Sequence, residues 1–93
     1  VVVNPYFGVR KKEVLAAKPY YETKIHLNGD YIVGRFKDEV RAAIAYNKAV
    51  DYAREHGFDK DFPQNYVDEV SPREYAEIYY EIKLSENFMD FFE

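Results

Sequence analysis

The stretch that most limits what this chain can fold into is residues 20–57, which reads without interruption as strand, tight turn, strand and helix. Tyr20-Tyr21-Glu22-Thr23-Lys24-Ile25-His26-Leu27 is rich in aromatic and β-branched side chains, which suit a pleated, half-buried surface. Asn28-Gly29 follows, a dipeptide that accepts positive φ at both centres of a type I′ hairpin turn. Tyr31-Ile32-Val33-Gly34-Arg35-Phe36 returns as the second strand of the hairpin. Period-two alternation puts Tyr21, Ile25 and Leu27 on one face and Tyr20, Lys24 and His26 on the other. A two-residue turn then pairs Ile25 with Ile32, Glu22 with Arg35 and Tyr21 with Phe36.

Asp38 is placed to cap a helix over 39–56, and Gly57 stands where a helix end favours a left-handed residue. Along that helix Ala42, Ala45, Tyr46, Ala49, Tyr52 and Ala53 form one stripe, widened by Val40, Ala43, Ile44 and Val50. Helical periodicity reads this stripe as core, and its small side chains let the helix lie close to a sheet. Arg41, Lys48, Asp51, Arg54 and Glu55 fill the solvent side.

Ahead of the hairpin, residues 6–12 predict a short strand in which Gly8 marks a close approach or a bulge. Val1-Val2-Val3 reads as an edge strand or docking arm broken by Asn4-Pro5, and Val14-Leu15-Ala16-Ala17 as a loop or a single helical turn. Behind the helix, 58–70 is irregular, with Phe58, Phe62, Tyr66 and Val67 as expected anchors onto the core. Ser71-Pro72-Arg73-Glu74 is a capping box with proline at the first helical position. The helix it starts carries Tyr75, Ile78, Tyr79 and Ile82 on one face and Glu77 and Glu81 on the other. The tail Phe88-Met89-Asp90-Phe91-Phe92 is expected to fold back, since an apolar patch of that density is unusual on a free surface. The fold class is therefore α+β: a three-stranded antiparallel sheet packed on an Ala-rich helix, with an additional C-terminal helix. Residues 1–93 form one domain, 6–57 as sheet and helix and 58–93 as an extension.

Several of these residues also carry a resemblance. Tyr6-Phe7-Gly8-Val9-Arg10 opens the pattern, an aromatic-led strand ends Lys24-Ile25-His26, and Val33-Gly34-Arg35-Phe36 follows. The helix then reads Glu39-Val40-Arg41-Ala42-Ala43-Ile44-Ala45-Tyr46-Asn47-Lys48-Ala49. In that order and near that spacing, residues 6–53 resemble the APETALA-two/ethylene-response-factor domain, the GCC-box-binding type of DNA reader. The resemblance implies a three-stranded sheet that enters the major groove with the helix behind it. It implies DNA contacts at Arg10 and Lys12 on the first strand and Lys24 and His26 on the second, with Tyr46 on the helix reaching a phosphate. Phe7 stands where an Arg is expected, Lys24 where plant members carry an acidic residue, Ile32 at a common Trp position and Asp30 in place of a cation. The resemblance also puts Val33, just before Gly34, on the core side, which together with the facing of the first hairpin strand requires a bulge. The second helix lies outside the resemblance.

Charge distribution bears on the same point. The net charge is −4, but residues 1–37 hold seven Lys/Arg against three Asp/Glu, a surplus of +4, and residues 38–93 hold six against fourteen, a deficit of −8. A basic hairpin half joined to an acidic helical half suits a nucleic-acid face on the sheet. Arg10, Lys12, Lys24, His26 and Arg35, interleaved with Tyr20, are the expected face; Arg or Lys can donate to guanine O6 and N7 in the major groove. The plain alternative for the five is a solvated sheet face.

Other chemistries find little support. The chain has no Cys, so neither a disulfide frame nor a thiolate metal site is available. His26 and His56 are far apart, and His56 suits a helix C-terminus through the helix dipole. No phosphate loop, no nucleophile–His–acid arrangement and no metal spacing stands out, so neither catalysis nor a cofactor is expected. No apolar run approaches the roughly eighteen residues of a membrane span, and no signal peptide is visible. An intracellular location, cytoplasm or nucleus, and no membrane partner are expected. The chain begins at Val1 rather than Met, which is compatible with its being a piece of a longer protein. The expected function is binding of duplex DNA, as a transcription-factor-like reader or as an accessory module of a larger DNA-acting protein. The competing expectation is a protein-interaction module that keeps the fold, using the acidic C-terminal helix and the aromatic tail. A third is a piece of a DNA-processing enzyme such as a nuclease or integrase whose catalytic residues lie elsewhere.

Overall fold

The computed structural model describes residues 6–93; the edge strand or arm expected at Val1-Val2-Val3 lies outside the described residues. Three strands, β1 (Val9–Lys12), β2 (Tyr20–His26) and β3 (Asp30–Phe36), form an antiparallel sheet in the order β1-β2-β3. Three helices follow: α1 (Glu39–Glu55), α2 (Pro72–Glu81) and α3 (Glu86–Asp90). No helix among the described residues is long and apolar enough to cross a membrane.

The Ala-rich stripe does what its spacing predicts. Ala42, Ala43, Ile44, Ala45, Ala49, Val50 and Ala53 are all fully buried, and α1 packs against all three strands. Ile25, Leu27 and Val33 meet it from the sheet. Fully burying one such aliphatic side chain stabilises the fold by about 1.5–3 kcal/mol. The Thr23 hydroxyl, also buried, donates to the carbonyl of Ala42 at 2.8 Å and ties β2 to the helix. Asp38 caps α1 by accepting from the Arg41 amide, and Gly57 follows its end at φ 80°.

The hairpin departs from the register of a two-residue turn and takes the one with Val33 on the core side. Tyr21 pairs with Phe36 and Glu22 with Arg35, as alternation predicts, but Ile25 faces Tyr31 instead of Ile32, and Lys24 faces Ile32. A β-bulge between Thr23 and Lys24 absorbs the one-residue slip. Its effect is to turn Val33 fully into the core while Ile32 stays on the outer face. The loop consequently spans three residues, 27–29, between the His26–Asp30 pair, and neither Asn28 nor Gly29 has positive φ. The type I′ turn is thus corrected: the bulge lengthens the loop and removes the need for left-handed residues.

The first strand is also shorter than expected, starting at Val9 because residues 6–8 form a turn. Gly8 sits at φ 74° and donates its place to two close neighbours: its carbonyl accepts from the Lys24 amide at 2.8 Å, and a Cβ there would run into the Tyr46 ring. The segment Val14-Leu15-Ala16-Ala17 is a turn closed by a bond from the Ala17 amide to the Val14 carbonyl.

The extension wraps the helix. In the irregular segment Phe62 is buried and Phe58 and Val67 are partly buried, but Tyr66 is 83% exposed and does not anchor anything. Asn65 does that work in its place. Its amide donates to Asn47 Oδ1 at 2.7 Å and its carbonyl accepts from Asn47 Nδ2 at 2.9 Å, while its side chain accepts from the Phe7 amide at 2.6 Å. Pointing Asn65 inward leaves the next side chain outside. The capping box of α2 is present in both directions, Ser71 Oγ accepting from the Glu74 amide and Glu74 from the Ser71 amide. The tail folds back as expected: Phe88 is fully buried, and Phe91 and Phe92 pack with Tyr31, Tyr52 and Phe58. Ser85 covers the edge of β3, its amide donating to the Val33 carbonyl at 2.9 Å and its hydroxyl to the Ile32 carbonyl at 2.6 Å.

Candidate nucleic-acid interface

One face of the sheet is sealed by α1, so strand alternation sends every second side chain to the other. On that outer face the cross-strand rungs are Lys12 with Tyr20, Arg10 with Glu22 and Arg35, Lys24 with Ile32, and His26 with Asp30. Arg10, His26 and Arg35 are exposed, whereas Lys12, Tyr20 and Lys24 are half-buried. The structure therefore brings six of the seven residues expected from sequence onto one surface. Tyr46 is the exception. It comes from α1, is 6% exposed, and its ring packs against Gly8; burial raises its pKa. It lines a shallow cleft of about 490 Å³ at one end of the sheet, with Phe7, Arg10, Lys24, His26 and Asp30 among the other walls.

Two carboxylates interrupt the cations. Asp30 Oδ1 lies 3.0 Å from His26 Nδ1; that hydrogen bond, followed by the charges of Lys24, His26 and Arg10, holds its carboxyl below the usual carboxylate range. Glu22 is at the centre of the face. Its side chain is only 8% exposed, and its two oxygens lie 3.8 Å from Lys12 Nζ on β1 and 3.4 Å from Arg35 Nε on β3. The face is thus mixed, with four Lys/Arg, a histidine and two acids.

Two features of the rim were not expected. Phe7 is 54% exposed beside the cleft, where its ring is available for stacking. The start of α3 comes round the edge of β3, so that Ser85, Glu86 and Asn87 form a shallow groove with Ile32 and Arg35. In the sequence Phe7 stands out only as a replacement for an expected Arg, and the groove depends on the tail folding back specifically onto β3. The acidic helix α2 packs on α1 and contacts no strand.

Comparison of the chain with protein-family models, with curated proteins and with solved structures gives no match.

Proposed function

We propose that the outer face of the sheet binds duplex DNA, as a non-enzymatic reader or as an accessory module that positions a larger protein. The observation that carries this reading is the gathering of Arg10, Lys12, Lys24, Arg35 and His26, with Tyr20, on the uncovered face of a three-stranded sheet. Strands about 4.8 Å apart make a three-stranded backbone about 10 Å wide. A B-form major groove of about 12 Å admits a β-structure of that size. The resemblance of residues 6–53 to the APETALA-two/ethylene-response-factor domain points the same way on sequence grounds. The acidic α2 packs on α1 and contacts none of the three strands, which suits this reading.

A protein-interaction module is the second reading, favoured by Tyr66 and Tyr80, which are 83% and 86% exposed on the acidic half. Of the folded-back tail, Phe88 is fully buried, whereas Met89, Phe91 and Phe92 are only partly buried.

Fluorescence anisotropy with labelled duplexes separates the two. Nonspecific binding is expected with a Kd on the order of 10⁻⁴ to 10⁻⁶ M at physiological salt, and a shallow slope of log affinity against log salt of about −3, for three to four phosphates neutralised. Arg10→Ala and Lys24→Ala should each weaken binding, and loss of a phosphate contact should lower the slope by about one. Glu77→Lys on α2 should leave any sequence preference unchanged. Absence of binding to both a G·C-rich and an A·T-rich duplex at about 50 mM salt, where the electrostatic attraction is strong, would overturn the DNA reading.

A further inference from the structure

A buried carboxylate is an odd choice for the middle of a surface that meets a polyanion. Glu22 subtracts one charge from the attraction that holds phosphates, and its 8% exposure leaves it little reach toward a base edge. Its contacts are more informative than its charge. From the central strand it touches a cation on each neighbour, Lys12 on β1 and Arg35 on β3. Arg35, whose side chain is 59% exposed, comes nearest to it through Nε, at 3.4 Å. On the far side Arg35 borders the groove made by Ser85, Glu86 and Asn87.

We propose that Glu22 is a positioning residue for base recognition: it holds Arg35 so that the free edge of the guanidinium meets guanine O6 and N7. This inference rests on the DNA reading above. An unrestrained arginine on a sheet surface samples many rotamers and contacts any phosphate within reach. A guanidinium fixed at one end keeps its planar fork in a set orientation, which is what bidentate recognition of a base edge requires. Glu22 therefore lowers affinity for DNA in general and raises discrimination between sequences. Arg35, with Glu22 behind it, determines specificity, whereas Arg10 and Lys24 supply attraction.

Opposite signs make this testable by anisotropy with a G·C-rich and an A·T-rich duplex of equal length. Wild type should prefer the G·C-rich duplex. Glu22→Gln keeps the shape and removes the charge, so affinity for the A·T-rich duplex should rise while the preference ratio falls by about tenfold, the scale of one bidentate base contact. Arg35→Lys keeps the charge and removes the fork, so its preference ratio should also collapse. A wild type that binds both duplexes equally overturns the inference but leaves DNA binding standing. So does a Glu22→Gln variant that keeps the wild-type ratio or weakens both duplexes alike. Should Glu22→Gln not fold, Arg35→Lys at its exposed site decides alone, and a retained ratio refutes the inference. No binding by wild type removes the DNA reading itself.

Discussion

Two glycines of the same hairpin half have opposite tolerances, and the difference follows from local geometry. Gly8 has φ 74°, and a Cβ there would meet the Tyr46 ring and lie 2.8 Å from the Lys24 carbonyl oxygen. Gly29 has no positive φ and open space around it. Gly8→Ala should therefore cost on the order of 2–4 kcal/mol, combining left-handed strain with overpacking. Gly29→Ala should be neutral or stabilising by up to about 1 kcal/mol, through a less flexible unfolded chain. Urea unfolding of the two variants checks the pair, and a strongly destabilised Gly29→Ala would restore the type I′ turn. The closeness at Gly8 was legible in the sequence, since a glycine inside a strand-like run has few other reasons to be there. The turn at Gly29 was misread because Asn-Gly signals a two-residue loop only when the strands pair without a bulge. Asn65 was not legible either, as an asparagine in an irregular segment reads as a loop residue. The signal lay in its partner: Asn47, 5% exposed on the buried side of α1, needs a buried hydrogen-bonding group.

Among the elements, the two long helices are held by different means. α1 is fixed by burial of a stripe running from Ala42 to Ala53, and that stripe was readable from period alone. α2 contains no fully buried residue, so its start depends more on the capping box. Ser71→Ala should cost about 1 kcal/mol and Ser71→Gly only a few tenths, measured by thermal or urea unfolding together with amide exchange in α2. Equal stability of wild type and the alanine variant would remove the cap from the account. The hairpin shows where pattern reading runs out. Ile32 and Val33 are adjacent, apolar and β-branched, so alternation allows either to face the core. Contact with α1 decides for Val33, and the bulge is the local consequence. The facing of β2 was legible because His26 and Lys24 alternate with Ile25 and Leu27. The first strand's extent was not, since its residues pack through a turn at Gly8 before pairing begins.

On the scale of the whole molecule, the charge split of the sequence becomes only partly a division of space, since Glu86 of the acidic half lines the groove beside Arg35. The sheet carries its cations outward, α1 fills the layer behind, and the acidic α2 packs against α1 without contacting the sheet. What the split conceals is the mixed character of the face, for Glu22 and Asp30 sit among the cations and both are paired to them. The account predicts moderate, salt-sensitive attraction with an internal device for discrimination, and not a uniformly basic surface. The most direct test is an amide chemical-shift footprint of the ¹⁵N-labelled protein on titration with a short duplex at low salt. The largest shifts should fall on β1, β2 and β3 around Arg10, Lys12, Lys24 and Arg35, with α2 unmoved. Shifts gathered around Tyr66 and Tyr80, with the strands silent, would contradict the claim that the sheet face meets DNA.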